Sequence, residues 1–275
     1  MGHNGTRSGD RTAYTEARCG DRKVRLKWHE LRHVANDPPF KRRNLRAGLA
    51  MGASLEVDIR ALACGQFVCL HDPILDNETT GKGPVARVDA ASVSRLQMRA
   101  SHESPLQLDE LVKIFRTGST HPSALLQLDL KGEVDTAAER AFAATLQGGA
   151  QGFILSAYDW DTVTRVGGGV SGLTLGYDPT EDVEFGDTDV LRIVREKTPE
   201  ADWIYLRRDF VRTSYERGDQ LVARLRGSGH QVDCWTIDHG TPDDAADLVA
   251  AMMEGCDQVT TNTAAVWANT NFNLV

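Results

Sequence analysis

Two stretches of the chain set charged side chains where chemistry could use them. In "LEVDIRALACGQFVCLHD", Leu55 to Asp72, the carboxylates Glu56 and Asp58 stand one residue apart in an apolar run, and the stretch ends on His71 and Asp72. In "ALLQLDLK", Ala124 to Lys131, Asp129 and Lys131 repeat that spacing with opposite signs. Residues two apart on a β-strand share a face, so each pair points one way. Three carboxylates converging from adjacent strands repel one another. They form a hard oxygen site suited to one divalent cation, Mg2+ or Ca2+. Lys131 is then placed to meet an anion bound at the metal. His29, which ends the apolar run "VRLKWH", and His71 can move protons near neutral pH. With no cysteine or serine nucleophile in the set, these groups point to phosphoryl chemistry, in which metal and lysine offset charge on phosphate oxygens.

The elements that must hold these groups follow from the hydrophobic pattern. Short apolar runs alternate with segments of helical period, the pattern of parallel strands joined by crossover helices. Eight strands are expected: 24–29, 54–60, 124–131, 152–158, 172–178, 202–208, 230–238 and 257–261. Helices are expected in "RRNLRAGLAMG", "TAAERAFAATLQ", "DWDTVTRV", "DVLRIVREKT", "SYERGDQLVARLRGSG" and "PDDAADLVAAMMEG". Eight strand-helix units in 275 residues fit an α/β fold of the TIM (β/α)8 barrel type, typically ~250 residues long. A doubly wound open sheet is the alternative, but no early strand is followed by a Gly-x-Gly-x-x-Gly turn. Residues 1–22 read as a disordered tail and 23–275 as one barrel domain. A small insertion after strand two, about 67–117, carries the extra strand "FVCLHD" and the turn-rich "PILDNETTGKGPV". A long connection at one strand end is usually functional. In a TIM barrel, catalytic groups come from the C-terminal strand ends, where all the residues named above lie.

The formal net charge of −8 argues against a nucleic-acid partner held by a broad basic face. Five scattered cysteines, odd in number and without a Cys-x-x-Cys pair, fit a reducing compartment, so a cytoplasmic location is expected. No apolar run approaches the length of a membrane span, and the sequence leaves the oligomeric state open.

The segment "GASLEVDIRALACGQFVCLHDPILDNETTGKGPV" closely resembles the signature of the glycerophosphodiester phosphodiesterase family, in which Gly-Ala precedes Glu-x-Asp and a short turn leads to His-Asp and a Thr- and Gly-containing loop. "LDELVKIF", "LQLDLK", "ILSAYDWDTV", "VDCWTID" and "GCDQVTTN" resemble later family segments in the same order. The resemblance implies a TIM barrel of the wider PI-PLC-like phosphodiesterase superfamily, hydrolysing phosphodiesters with a divalent cation. Carried over by position, Glu56, Asp58 and Asp129 would be metal ligands, Asp129 standing where the family usually has Glu. His29 and His71 would be the acid-base pair, and Lys131 would contact phosphate. A neighbouring substrate hydroxyl would attack phosphorus, and a cyclic phosphate would then be opened by water.

The chain departs from the family in "WHELRHVANDPPFKRRN". His29 is followed by Glu30 where the family has arginine, and the Pro-Glu-Asn-Thr segment is absent. Arg32 or Arg60 could supply the missing guanidinium, and His33 is the alternative to His29. At the far end Asn262 replaces the usual Asp. Trp235, at a strand end, is expected to wall the substrate site by stacking on a sugar or glycerol face. Arg207 and Arg208 could add positive potential, only one of them pointing inward. The mostly polar turn "PILDNETTGKGP" favours a small water-soluble diester. The other outcomes are an opine phosphodiesterase of the agrocinopine type, a phospholipase D-like lyase that stops at the cyclic phosphate, and a non-catalytic barrel that binds a phosphosugar.

Overall fold

The computed structural model describes residues 14–184 and 189–270. Its ten strands are β1 (Glu16–Cys19), β2 (Arg22–Trp28), β3 (Ser54–Ala61), β4 (Phe67–Cys69), β5 (Leu125–Leu130), β6 (Phe153–Ala157), β7 (Thr174–Tyr177), β8 (Trp203–Arg207), β9 (Gln231–Trp235) and β10 (Gln258–Thr261). Eight of them, β2, β3 and β5 to β10, pair in parallel and close through β2 on both β3 and β10. This is the expected TIM barrel. β1 and β4 are short antiparallel flanks on β2 and β3.

The strand sequences explain both faces of the wall. Leu55, Val57 and Ile59 of β3 and Leu126, Leu128 and Leu130 of β5 alternate with polar residues and are buried. Burying each such side chain contributes roughly 1.5–3 kcal/mol. The intervening positions, Glu56, Asp58, Gln127 and Asp129, line a cavity in the barrel mouth. Register sets them level: Asp58 is the partner of Asp129, and Asp129 is the partner of Ser156. Barrel interiors are usually filled by branched apolar residues. Here Lys27, Tyr205 and Thr260 also face the cavity. Gly176 on β7 makes room for Tyr205, because a Cβ there would lie 2.5 Å from Tyr205 Cε2.

The helices cover the outside. Helix Pro242–Glu254 starts on a capping box between Thr241 and Asp244 and stops at Gly255 in the left-handed region. The segment "SYERGDQLVARLRGSG", expected as one helix, forms two, Arg208–Arg217 and Leu221–Gly227. Gly218, at φ +74°, ends the first with a left-handed cap.

The N-terminal boundary also differs from expectation. The expected tail ran to residue 22, but Glu16–Cys19 form β1 and pair with β2, burying Ala17 and Cys19; the remainder of that tail, 1–13, lies outside the described residues. Within the expected insertion, β4 pairs with β3 as the extra strand. Helix Leu108–Thr117, counted there too, packs between Arg42–Met51 and Thr136–Leu146 in the outer ring. It therefore serves as the crossover helix into β5.

Candidate active site

The mouth of the barrel holds a cavity of about 220 Å3 lined by seven of the expected site residues: His29, Glu56, Asp58, His71, Asp129, Lys131 and Trp235. One carboxylate oxygen from each of Glu56, Asp58 and Asp129 lies within 4.8 Å of the other two. Glu56 and Asp58 are buried, and Asp58 Oδ2 has no hydrogen-bond partner. Burial, and after it the carboxylates of Asp58 and Asp129, push Glu56 well above the ordinary carboxylate range. Burial likewise pushes Asp58 up to about 7, against the pull of Lys131. A buried carboxylate oxygen without a donor, inside a set of oxygens this close, fits a hard divalent cation.

Lys131 reaches across the set, 3.4 Å from Asp58 Oδ1 and in contact with Asp129 Oδ2. Burial alone would lower its pKa, but Asp129 and Asp58 outweigh it and hold the ammonium above the ordinary lysine value. Its Nζ also stands 5.2 Å from the centre of the Tyr158 ring.

His29 follows β2 directly. Its Nδ1 lies 3.1 Å from Asn262 Oδ1, and its Nε2 lies 3.9 Å from Glu56 Oε2. Asp238 accepts from both the backbone N–H and the side-chain amide of Asn262, at 2.6 and 2.8 Å. The Asn262 amide oxygen therefore faces His29 and can only accept, which makes Nδ1 the protonated nitrogen and leaves the lone pair on Nε2, toward the cavity. Burial lowers the His29 pKa and favours this neutral form. His33 takes no part in this arrangement. It stacks on Trp28 with ring centres 4.8 Å apart and pairs with Asp37 at 2.7 Å.

His71 sits on the rim with its side chain 55 % exposed. Desolvation acts to lower its pKa, but the Asp72 hydrogen bond at 3.0 Å and the charge of Asp58 raise it overall. Two side chains hold its backbone. Arg60 donates from Nε and Nη2 to the His71 carbonyl, while Glu78 accepts from the N–H groups of His71 and Asp72.

The two arginines considered as replacements for the family's arginine are thus engaged elsewhere: Arg60 holds His71, and Arg32 pairs with Glu30. Neither lines the cavity. Glu30 is buried with φ +49°, and its backbone N–H donates to Glu56 Oε2 at 2.8 Å. Arg207 pairs with Asp209, Arg208 pairs with Asp244, and both lie outside the cavity. Trp235 does line it, and its indole N–H is buried without a partner.

Several lining residues were not among the expected ones. Asp178 directly follows β7 and is pushed up to about 7 by burial, and Tyr158 is pushed up to about 12, by burial first and Asp178 second. Asp178 closes the run "GLTLGYD", so its place at a strand end was a usable signal. Lys27 and Gln127 gave none, since a polar residue on a strand ordinarily marks a solvated face.

A TIM barrel whose mouth gathers an acidic triad, two of its members buried, with a lysine and two histidines lining the same cavity is the class of protein that fold and site define. Residues 43–141 match the model of the Glycerophosphoryl diester phosphodiesterase family. That segment carries Glu56, Asp58, His71, Asp129 and Lys131, and over it the resemblance seen in the sequence is borne out. Among solved structures, a protein of Agrobacterium tumefaciens assigned as a glycerophosphoryl diester phosphodiesterase superposes with a TM-score of 0.68 at 17% identity, covering 89% of this chain and 95% of the other. An Oleispira antarctica phosphodiesterase in complex with the product sn-glycerol-3-phosphate gives 0.65 at 17% identity, with 88% and 94% covered. A glycerophosphodiester phosphodiesterase of Thermotoga maritima gives 0.65 at 16% identity, with 89% and 96% covered. These likenesses establish the barrel fold. No curated protein matches the chain. Among the described residues, no helix is long and apolar enough to cross a membrane.

Proposed function

We propose that the protein is a phosphoric diester hydrolase that depends on one divalent cation, Mg2+ or Ca2+, and acts on a small water-soluble glycerophosphodiester or sugar phosphodiester. The observation that carries this reading is the triad of buried Glu56 and Asp58 with half-buried Asp129, lining one cavity with His29 and His71. The family match over 43–141 supports the phosphodiester, and the sn-glycerol-3-phosphate bound by the Oleispira protein is a phosphomonoester of the kind expected here as product. The described cysteines, none of them in a disulfide, fit a reducing compartment such as the cytoplasm.

Glu56, Asp58 and Asp129 would hold the cation, whose charge would offset that of the phosphate oxygens. Lys131 binds a phosphate oxygen from the other side. His29 Nε2, carrying the lone pair, takes the proton of the substrate hydroxyl next to the ester as that oxygen bonds to phosphorus. The bond from phosphorus to the leaving alcohol breaks, and His71 gives its proton to the departing oxygen. A cyclic phosphate and an alcohol result, with His29 charged and His71 neutral. In the second half His71 takes a proton from water as the water oxygen bonds to phosphorus. The ring P–O bond breaks, and His29 returns its proton to that oxygen. Both histidines end as they began. Trp235 and Tyr158 form the wall against which the alcohol portion rests.

The test is release of alcohol from glycerophosphocholine and from a sugar phosphodiester, before and after chelation. Chelator should abolish release, and Mg2+ or Ca2+ should restore it; full activity after chelation and dialysis would refute the reading. Phosphorus NMR of the product separates a hydrolase, which ends at the monoester, from a lyase that ends at the cyclic phosphate.

A further inference from the structure

Below the acidic triad the barrel carries a second polar array, and one of its ends is a member of the triad. Lys27 on β2 is 1 % exposed, with its ammonium 3.1 Å from Asp233 Oδ2 and 4.4 Å from the centre of the Tyr205 ring. The same ammonium donates to Gln127 Oε1. Gln127 Nε2 donates to Ser156 Oγ at 2.8 Å, and Ser156 Oγ donates to Asp129 Oδ1 at 2.7 Å. Thr260 donates to the other oxygen of Asp233 at 2.7 Å.

The direction of this chain is fixed at one end. An ammonium has hydrogens to give and no lone pair to receive with. Gln127 must therefore turn its oxygen to Lys27, which turns its amide hydrogens to Ser156. The serine hydroxyl, already receiving, has a single hydrogen, and it goes to Asp129. Each link is buried or nearly so, which strengthens the bonds and makes a misdirected group costly. A buried lysine and aspartate on a barrel floor are themselves expensive to desolvate. Their place at the head of a donor chain that ends on a carboxylate gives them a use.

We infer that Lys27, Gln127 and Ser156 are positioning residues that hold the Asp129 carboxyl group in one rotamer, ready for the divalent cation. Oδ1 is pinned by Ser156, and Oδ2 is left to Lys131 and the shared site. Partners of this kind behind metal ligands commonly change metal affinity by 10–100-fold when removed. This inference rests on the cation reading of the triad.

The experiment is calorimetric titration of the full chain, stripped with chelator, with Mg2+ alone and with Ca2+ alone. Ser156→Ala should weaken binding about tenfold while the metal-free melting temperature changes by no more than a few degrees. A folded Ser156→Ala chain that binds within twofold of the parent overturns the inference. Gln127→Glu carries the test independently, including the case in which Ser156→Ala does not fold. Its added carboxylate would tighten cation binding if charge alone mattered. In the donor chain it has no hydrogen for Ser156 and competes with Asp129 for the serine's own, so binding should weaken; unchanged or tighter binding overturns the inference. Absence of binding by the parent would overturn the cation reading and this inference together, whereas a parent that binds beside unaffected variants overturns this inference alone.

Discussion

Asn262 presents its amide oxygen to His29 Nδ1 at 3.1 Å because Asp238 holds the nitrogen of the same amide at 2.8 Å. The contact fixes which imidazole nitrogen is free and orients the ring without adding a charge beside it. Asn262→Asp places a carboxylate against the ring. The imidazolium is then favoured, so a higher pH is needed to free the base. The acid limb of the kcat/KM pH profile should move up by roughly one unit, and an unmoved limb would remove His29 from the role of base.

His71 is assigned as the acid from its raised pKa and its place on the rim. His71→Ala should lower kcat/KM on glycerophosphodiesters by roughly 10²–10⁴. On a diester with a nitrophenol leaving group, which departs without a proton, the loss should be much smaller. Equal losses on both substrates would count against the assignment.

Arg60 gives a test of positioning against binding. Its two donors grip the His71 carbonyl, so Arg60→Ala should lower kcat by roughly ten- to a hundredfold and leave KM within about twofold. A rise in KM at constant kcat would instead mean that Arg60 meets the substrate phosphate.

Burial raises the Asp58 carboxyl to about 7 in the metal-free fold, against ~3.9 in an unfolded chain. Between these values the folded state holds a proton that the unfolded state has lost. The stability that Asp58 contributes without metal is therefore full below about pH 4 and is lost as pH rises toward 7. Asp58→Asn removes this slope. At pH 8 the metal-free variant should melt above the parent by at least roughly 2–4 °C, the shift given by 1 kcal/mol in a chain of this size. Adding Mg2+ or Ca2+ should raise the parent and leave the variant nearly unmoved. Melting curves at pH 5 and pH 8, with and without cation, check both statements.

The parts of the barrel that were legible from the residues are those where polarity breaks a strong apolar pattern. In "SLEVDIR" and "LQLDLK" every second residue is apolar and buried, so the charges between them had to share the other face. Residues without that contrast were not legible. Lys27 sits in the alternation of basic and apolar residues of "DRKVRLKWH", which reads as a strand with one wet face; only closure of the barrel turns that face inward. Ser156 is one hydroxyl in an apolar strand, and its value depends on the register that sets it beside Asp129. The arginines misled for the opposite reason. Arg32 and Arg60 are near the site in sequence, but their guanidiniums are engaged by Glu30 and by a backbone carbonyl, contacts that no spacing reveals.

The β1–β2 hairpin has a practical consequence for anyone trimming the chain. β2 meets β3 at only two positions, Lys27 with Ser54 and Trp28 with Leu55. Over the first half of β2 the open edge is covered by β1, and two further bonds, Leu26 N–H to the Thr15 carbonyl and Trp28 Nε1–H to the Tyr14 carbonyl, tie the strand down. A protein started at residue 23, where composition suggests the fold begins, would lose every one of these. The strand left loose would be the one bearing Lys27 and leading into His29, so an inactive or aggregating truncation would report a damaged barrel seam rather than a chain that lacks the chemistry.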